Sequence, residues 1–386
     1  MKGIALLAFL LVGSLFTVLF WQGPSTSFDD ANYLTYGRQM LNHTYSITES
    51  PYAYGSAFLS TIAIGLVISN GQAWGASLPQ IIEYLLIICV LYFTLKRYFD
   101  PDVSFVMALG VEVSGFIAMY ATRALPDMLL GLLISLVFLI LAYKKGSSKW
   151  MFVAGFLTGA TIFVKMGGFV LLILLGMGTF GILALAGIII ILAFLLLCKD
   201  MHRVYYILGL LLAIVIYQLL LPHGVSVIAM ANAYDAMQVS LSIATIQTNI
   251  SAIIINTIGY LPPYANQIFP IGLIGILGIL GTIYILLKKD RRLYFAVLAF
   301  WISVIYFYFG TESLTSYTFI TVVSRYFIEF AAPMVLLAAS PIQALTIQVG
   351  RYRHIALGLV LVLIVFSNVL PYLIFYHHVL NYVFAP

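Results

Sequence analysis

Eleven apolar runs of roughly 16–24 residues, joined on the inner side by short polar connections, constrain this chain more than any other feature. They fall at 4–21, 80–95, 103–122, 128–143, 151–174, 182–198, 204–221, 268–287, 293–309, 326–347 and 355–374. At about 1.5 Å per helical residue, such runs match a hydrocarbon core of about 30 Å. The shorter ones reach across by tilt or by local thinning of the bilayer. The chain has 386 residues, is 63% hydrophobic and is 8% charged. A soluble domain averages about 45–50% apolar and about 25% charged. Lipid is therefore the solvent. The expected fold is an all-α polytopic membrane protein of about eleven transmembrane helices, a single membrane domain over 1–386 without an appended soluble domain.

The basic residues give this bundle a direction. With the N-terminus inside, all but four of the 18 Lys and Arg fall in inner segments, as the excess of cations in cytoplasmic loops requires. The four left over are Arg38, Arg123, Lys165 and Arg325, on or near the outer side. Two further apolar stretches, 54–69 and 243–260, would reverse this bias if counted as spans, so they read as interfacial or re-entrant pieces. The result is two substantial outer regions, 22–79 and 222–267. The first run ends in Trp21-Gln22-Gly23-Pro24 rather than in a small-x-small cleavage site, so it is expected to stay as the first helix. Trp21, Trp74, Trp150 and Trp301 fall near predicted interfaces. The sequons Asn42-His43-Thr44 and Asn249-Ile250-Ser251 both land in outer regions. The formal charge of +5 comes without the basic density that nucleic acid needs. Cys89 and Cys198 form neither a disulfide framework nor a metal-ligand spacing.

Chemistry-bearing residues collect on the outer face. Asp29 and Asp30 follow the first span and open the amphipathic stretch Ala31–Leu41. One Asp suits a helix start, where it meets backbone N–H groups and the dipole. Two adjacent carboxylates at a membrane surface repel each other and lose hydration, which points to a task such as general base or metal ligand. Arg123 and Asp127 bracket a turn closed by Pro126, either as an interfacial ion pair or as a phosphate ligand and a second acid opposite Asp29. Lys165 lies about 22 Å into its span at 1.5 Å per residue, in the outer third. An intramembrane charge marks function unless it snorkels to the surface or is neutralised, here by Glu83 or Glu112. Arg325 stands one turn before Glu329, as its ion-pair partner or as a phosphate ligand. Arg38 lies on the 31–41 stretch, and the adjacent His377 and His378 point different ways. The inner acids Asp100, Asp102, Asp200 and Asp290 sit beside basic clusters and read as solvated loop residues.

Cations that hold a phosphate, beside a carboxylate that activates a nucleophile, suit an anionic head group presented sideways from the bilayer. No nucleotide-binding loop supplies energy, so the donor carries its own activation, as a sugar phosphate ester does.

The motif Asp29-Asp30-Ala31-Asn32-Tyr33 after a first membrane helix resembles the GT-C superfamily of lipid-phosphosugar glycosyltransferases. Protein O-mannosyltransferases and lipid A aminoarabinose transferases are similar in pattern. Leu125-Pro126-Asp127, Lys165 with Gly167, and Arg325-Tyr326 with Pro333 follow in the family's order, and the resemblance covers about the first 170 residues and a short window near 325. Asp stands second where many relatives have Glu, and no counterpart of the family's downstream soluble domain is expected in this sequence. The resemblance implies a dolichyl- or polyprenyl-phosphate sugar as donor, inverted in a single displacement. By that resemblance Asp29 is the catalytic carboxylate with Asp30 beside it and Asp127 the second acid, while Lys165, Arg123 and Arg325 contact the donor phosphate. Tyr33 and Arg38 are assigned to substrate binding. A divalent metal between Asp29 and Asp127 is compatible with it, since some relatives use one and others do not. The acceptor is a protein, glycan or lipid hydroxyl on the extracytoplasmic side of a plasma or ER-type membrane. A transporter or flippase of a lipid-linked substrate is the alternative, and it would be expected to show a repeated half and broken helices near the midplane.

Overall fold

The computed structural model describes residues 2–24, 28–46, 55–144, 146–164, 201–220, 273–309, 328–329 and 331–383, and among these the chain is helical with no strand. Its α-helices are α1 (Lys2–Leu19), α2 (Phe28–Leu41), α3 (Ser56–Ile68), α4 (Ser77–Leu95), α5 (Pro101–Glu112), α6 (Gly115–Ala121) and α7 (Asp127–Lys144). They continue as α8 (Ser148–Ala160), α9 (Met201–Leu220), α10 (Leu273–Lys288), α11 (Tyr294–Phe309), α12 (Ala331–Val349) and α13 (Arg353–Val383). The expected span 182–198, the loop 222–267, the second sequon, Lys165, Asp200 and Arg325 lie outside the described residues.

Three stretches are long and apolar enough to cross a bilayer, namely Ala73–Leu95, Asp127–Lys144 and Ala331–Val369. Gly3–Leu19, Ser56–Ile68, Val204–Leu220 and Leu273–Lys288 are shorter apolar helices. The chain is a multi-pass membrane protein. The run Ala331–Val369 folds back at Gly350, whose φ of +50° suits a residue without a Cβ, so it makes two antiparallel helices. Sidedness follows helical periodicity. On α1, Ala5, Phe9, Gly13 and Thr17 are buried, while Ile4, Leu7, Leu11, Leu15 and Val18 face outward.

One expected span is not continuous. The run 103–122 breaks at Val113 and Ser114 into α5 and α6. A Ser-Gly pair at 114–115 is a recurrent place for a helix to kink. The Ser114 hydroxyl accepts the Ile117 N–H and starts a new helix, as an N-cap serine does. In a lipid-embedded core the carbonyls freed by such a break must find other donors.

At the end of the bundle away from α2, polar side chains tie the turns together. The Arg97 Nε donates to the Ala142 carbonyl at 3.2 Å. The Gln343 amide donates to Asp100 at 3.0 Å, and Arg353 meets Asp102 at 2.6 Å. Arg292 pairs with Asp290 at 2.8 Å and holds that carboxyl below its usual range. Of the acids expected to be solvated loop residues, Asp100 and Asp102 are thus also clasps between helices, whereas Asp290 pairs within its own turn.

The pair α8 and α9 packs through glycine. A Cβ on Gly155 would meet the Tyr206 carbonyl oxygen at 1.7 Å, and one on Gly159 would meet that of Leu210 at 2.6 Å. Gly209 faces the Phe152 carbonyl in return. Small residues four apart let membrane helices approach closely, and the Thr158 and Tyr206 hydroxyls share a hydrogen bond of 2.7 Å across the seam. Gly155→Val is expected to force the backbones apart and lower stability by about 1–3 kcal/mol. Thermal unfolding in detergent checks this; an unchanged midpoint would mean that the seam does not hold the pair.

Candidate active site

The acidic pair lies in the first turn of α2, where both carboxylates face the positive end of the helix dipole. Both lie inside the helix rather than at its cap. Their environments differ. Asp30 is fully buried, whereas Asp29 is partly exposed. The Asp30 Oδ2 accepts from Arg123 Nε at 2.9 Å and from Arg123 Nη2 at 2.7 Å, a two-pronged guanidinium contact. Its Oδ1 accepts from the Ala124 backbone N–H at 3.0 Å. Three donors thus fix Asp30 against the turn between α6 and α7.

That turn is itself held from two further sides. The buried Thr122 hydroxyl accepts the Gln22 N–H at 3.1 Å, joining the chain just after α1, and donates to Met119 at 2.7 Å. The Ser77 hydroxyl, in the first turn of α4, donates to the Thr122 carbonyl. Asp127 opens α7 immediately beyond and is 1% exposed. The 122–127 turn therefore brings α1, α2, α4, α6 and α7 to one place, with Asp30 and Arg123 at its centre, Asp29 next to Asp30 on α2 and Asp127 opening α7.

The remaining site candidates fall as follows. Tyr33 is buried, and its ring meets Phe58 edge-on at 5.1 Å, so it fastens α2 to α3. Gly37 presses on Ile62 along the same seam. Arg38 is exposed at the far end of α2. The helix α3 has 13 residues, about 20 Å, too short for a full crossing, as expected for the stretch 54–69. Burial pushes the Tyr45 phenol beyond α2 up to about 12, so it stays a neutral hydroxyl. Val164, next to Lys165 in sequence, has its carbonyl against Gly55 before α3. Ile328, three residues after Arg325, packs on Gly131 of α7. Glu83 and Glu112, considered as neutralisers of Lys165, are both buried, Glu112 with its carboxyl against Gly13 of α1. Thr122, Ser77 and the Ala124 N–H carry no sequence signal of their own, and only the fold shows them.

Among the described residues no group of three or more His, Cys, Asp or Glu comes together to hold a metal. Asp30 is engaged by nitrogen donors, so Asp29 and Asp127 are left as the carboxylates for a divalent cation, whose remaining oxygens would have to come from water or donor phosphate. These residues do not by themselves build a metal centre.

Comparison with known proteins shows what the fold is similar to. Residues 57–177 match the family described as dolichyl-phosphate-mannose-protein mannosyltransferase, less than half of the chain. The matched stretch contains Arg123, Asp127 and Lys165 and begins after the acidic pair. No curated protein matches the chain by sequence. The fold is similar to ArnT from Cupriavidus metallidurans in the apo state, with a TM-score of 0.58 at 14% identity, over 90% of this chain and 61% of that one. It is similar also to the same protein bound to undecaprenyl phosphate, with a TM-score of 0.57 at 14% identity, over 92% of this chain and 63% of that one. The oligosaccharyltransferase from Archaeoglobus fulgidus in complex with zinc and sulfate gives a TM-score of 0.55 at 14% identity, over 95% of this chain and 52% of that one. The chain thus carries the GT-C membrane fold and spans between about half and under two thirds of the length of these structures.

Proposed function

We propose that the chain is a glycosyltransferase that moves a sugar from a dolichyl- or polyprenyl-phosphate donor to an acceptor hydroxyl, with inversion and with Asp29 as the base. The observation that carries this reading is the division of labour within the acidic pair. Asp30 is buried and gripped by Arg123 and Ala124 of the turn that leads into Asp127, while the neighbouring Asp29, in the same first turn of α2, is partly exposed. The family match over 57–177 and a fold-mate bound to undecaprenyl phosphate support a lipid-phosphate donor.

In the proposed step the acceptor oxygen forms a bond to the sugar C1 as its proton passes to the Asp29 carboxylate. The bond from C1 to the phosphate oxygen breaks, and the lipid phosphate leaves with the electron pair. Attack opposite the leaving group inverts C1. Lys165, Arg325 and Arg123 stabilise the phosphate as its charge grows. The ion pair with Asp30 gives Arg123 a structural task beside that one. Asp127 orients the acceptor or donor across the site, and no step is routed through a metal. Tyr33 and Arg38 border the substrate, with Tyr33 acting through its hold on α3. The bias of basic residues puts the site on the extracytoplasmic face and the N-terminus inside. The acceptor is a protein, glycan or lipid.

Membranes containing the chain, given radiolabelled polyprenyl-phosphate sugars, are expected to move label into an acceptor whose new linkage is inverted relative to the donor, read by NMR of the released glycan. Retention would overturn the single displacement. Movement of intact donor across the bilayer without transfer would favour a flippase.

A further inference from the structure

The break between α5 and α6 sits in the buried part of the bundle, and its exposed backbone is covered by two side chains from distant helices. The N–H of Ser114, the ordinary helical partner of the Gly110 carbonyl, goes to Val111 instead at 3.1 Å. The Asn368 amide on α13 supplies the missing donor to Gly110 at 3.0 Å, from a side chain that is 1% exposed. The fully buried Tyr84 hydroxyl on α4 donates to the carbonyl of Glu112, the last residue of α5. Gly110 is also close-packed, since a Cβ there would meet Ile364 of α13 at 3.0 Å. These contacts fix where α5 stops and how α6 departs from it.

The direction of α6 matters because that helix ends one residue before the turn that grips Asp30. From Gly115 to Ala121 it runs seven residues, then passes directly into Thr122, Arg123 and Ala124. A change in the angle of so short a helix is carried to Arg123 and the Ala124 N–H with nothing between to absorb it. We infer that Asn368 and Tyr84 are positioning residues for the acidic site: by capping the break they set the path of α6, and through it the register of Arg123 and Ala124 on Asp30. This rests on the glycosyltransferase reading for its catalytic consequence but not for its structural one. Reacting groups displaced by about 1 Å can lose on the order of 100-fold in rate.

The test compares Asn368→Leu, which keeps volume but removes the donor, and Tyr84→Phe, which removes only a hydroxyl. The control is Ser367→Ala. Ser367 neighbours Asn368 but accepts the Leu273 N–H at 3.1 Å, a tie to α10 instead of the break. Hydrogen exchange across residues 122–126 is expected to rise in both break variants, as Ala124 loses its hold on Asp30, and to stay at the parent level in the control. In the transfer assay kcat is expected to fall by about 10- to 100-fold in the break variants, with the donor KM within about twofold. Parent-like exchange in both break variants would overturn the inference, and so would an equal rise in the control, which would indicate a general loosening. Should Asn368→Leu not fold, Tyr84→Phe carries the test alone. If the parent shows no transfer with any donor, the functional reading falls while the exchange result still decides the positioning role.

Discussion

Asp29→Asn is expected to lower transfer from a polyprenyl-phosphate sugar by about 100-fold or more, the lower end of general-base effects. That is about 2.7 kcal/mol of transition-state stabilisation at about 1.36 kcal/mol per tenfold. The amide keeps the size of the side chain and its place in the first turn of α2, so folding and donor KM should be little changed. What it loses is the ability to accept the acceptor's proton. Asp30 cannot serve in its place. Both of its oxygens already take nitrogen donors at 2.7–3.0 Å, and its side chain is fully buried, so no acceptor hydroxyl reaches it. The measurement is initial rate with radiolabelled donor in membranes, normalised to folded protein. A nearly normal rate for Asp29→Asn, with a folded Asp30→Asn variant inactive, would reverse the two roles.

Much of the fold was legible because lipid imposes simple rules. Long apolar runs had to be helices, and within the stretch 54–69 the structure has the 13-residue helix α3. The acidic pair stood out because two adjacent carboxylates are costly at a membrane surface. What stayed hidden depended on contacts between distant positions. Arg123 could be weighed against Asp127, four residues away, but its contact with Asp30 spans 93 positions and exists only once α2 is docked. The backbone N–H of Ala124 is invisible to any reading of side chains. The break at 113–114 left a trace in Ser114-Gly115, yet the apolar run continues through it, so hydropathy alone joined α5 and α6 into one span. Asn368 carries no signal of its own within the last apolar run. Its partner is a carbonyl 258 positions earlier, exposed only because that helix breaks.

Breaking the Asp30–Arg123 pair from one side should destabilise the fold by about 3 kcal/mol, the low end for a buried ion pair, because Arg123 keeps 18% exposure and some access to water. Asp30→Leu strands the guanidinium and the Ala124 N–H together. Arg123→Met strands the carboxylate but leaves it the Ala124 N–H. The second should cost more, because the Asp30 carboxylate is fully buried while the Arg123 guanidinium still reaches water. The double variant removes both charges and should recover most of the loss, because two apolar side chains of similar volume need no partner. Recovery should stop short of the parent by about 1 kcal/mol, since the Ala124 N–H, bonded to Asp30 at 3.0 Å in the parent, stays buried without an acceptor. Unfolding in mixed micelles across the four proteins gives the coupling directly. The same four proteins separate the two tasks assigned to Arg123. If the double variant regains stability but transfers sugar with a raised donor KM, Arg123 also holds the donor phosphate. If stability and transfer return together, its guanidinium acts only on Asp30, and Lys165 and Arg325 carry the phosphate alone. Additive losses, with no recovery in the double variant, would show that the pair does not hold α2 to the 122–127 turn.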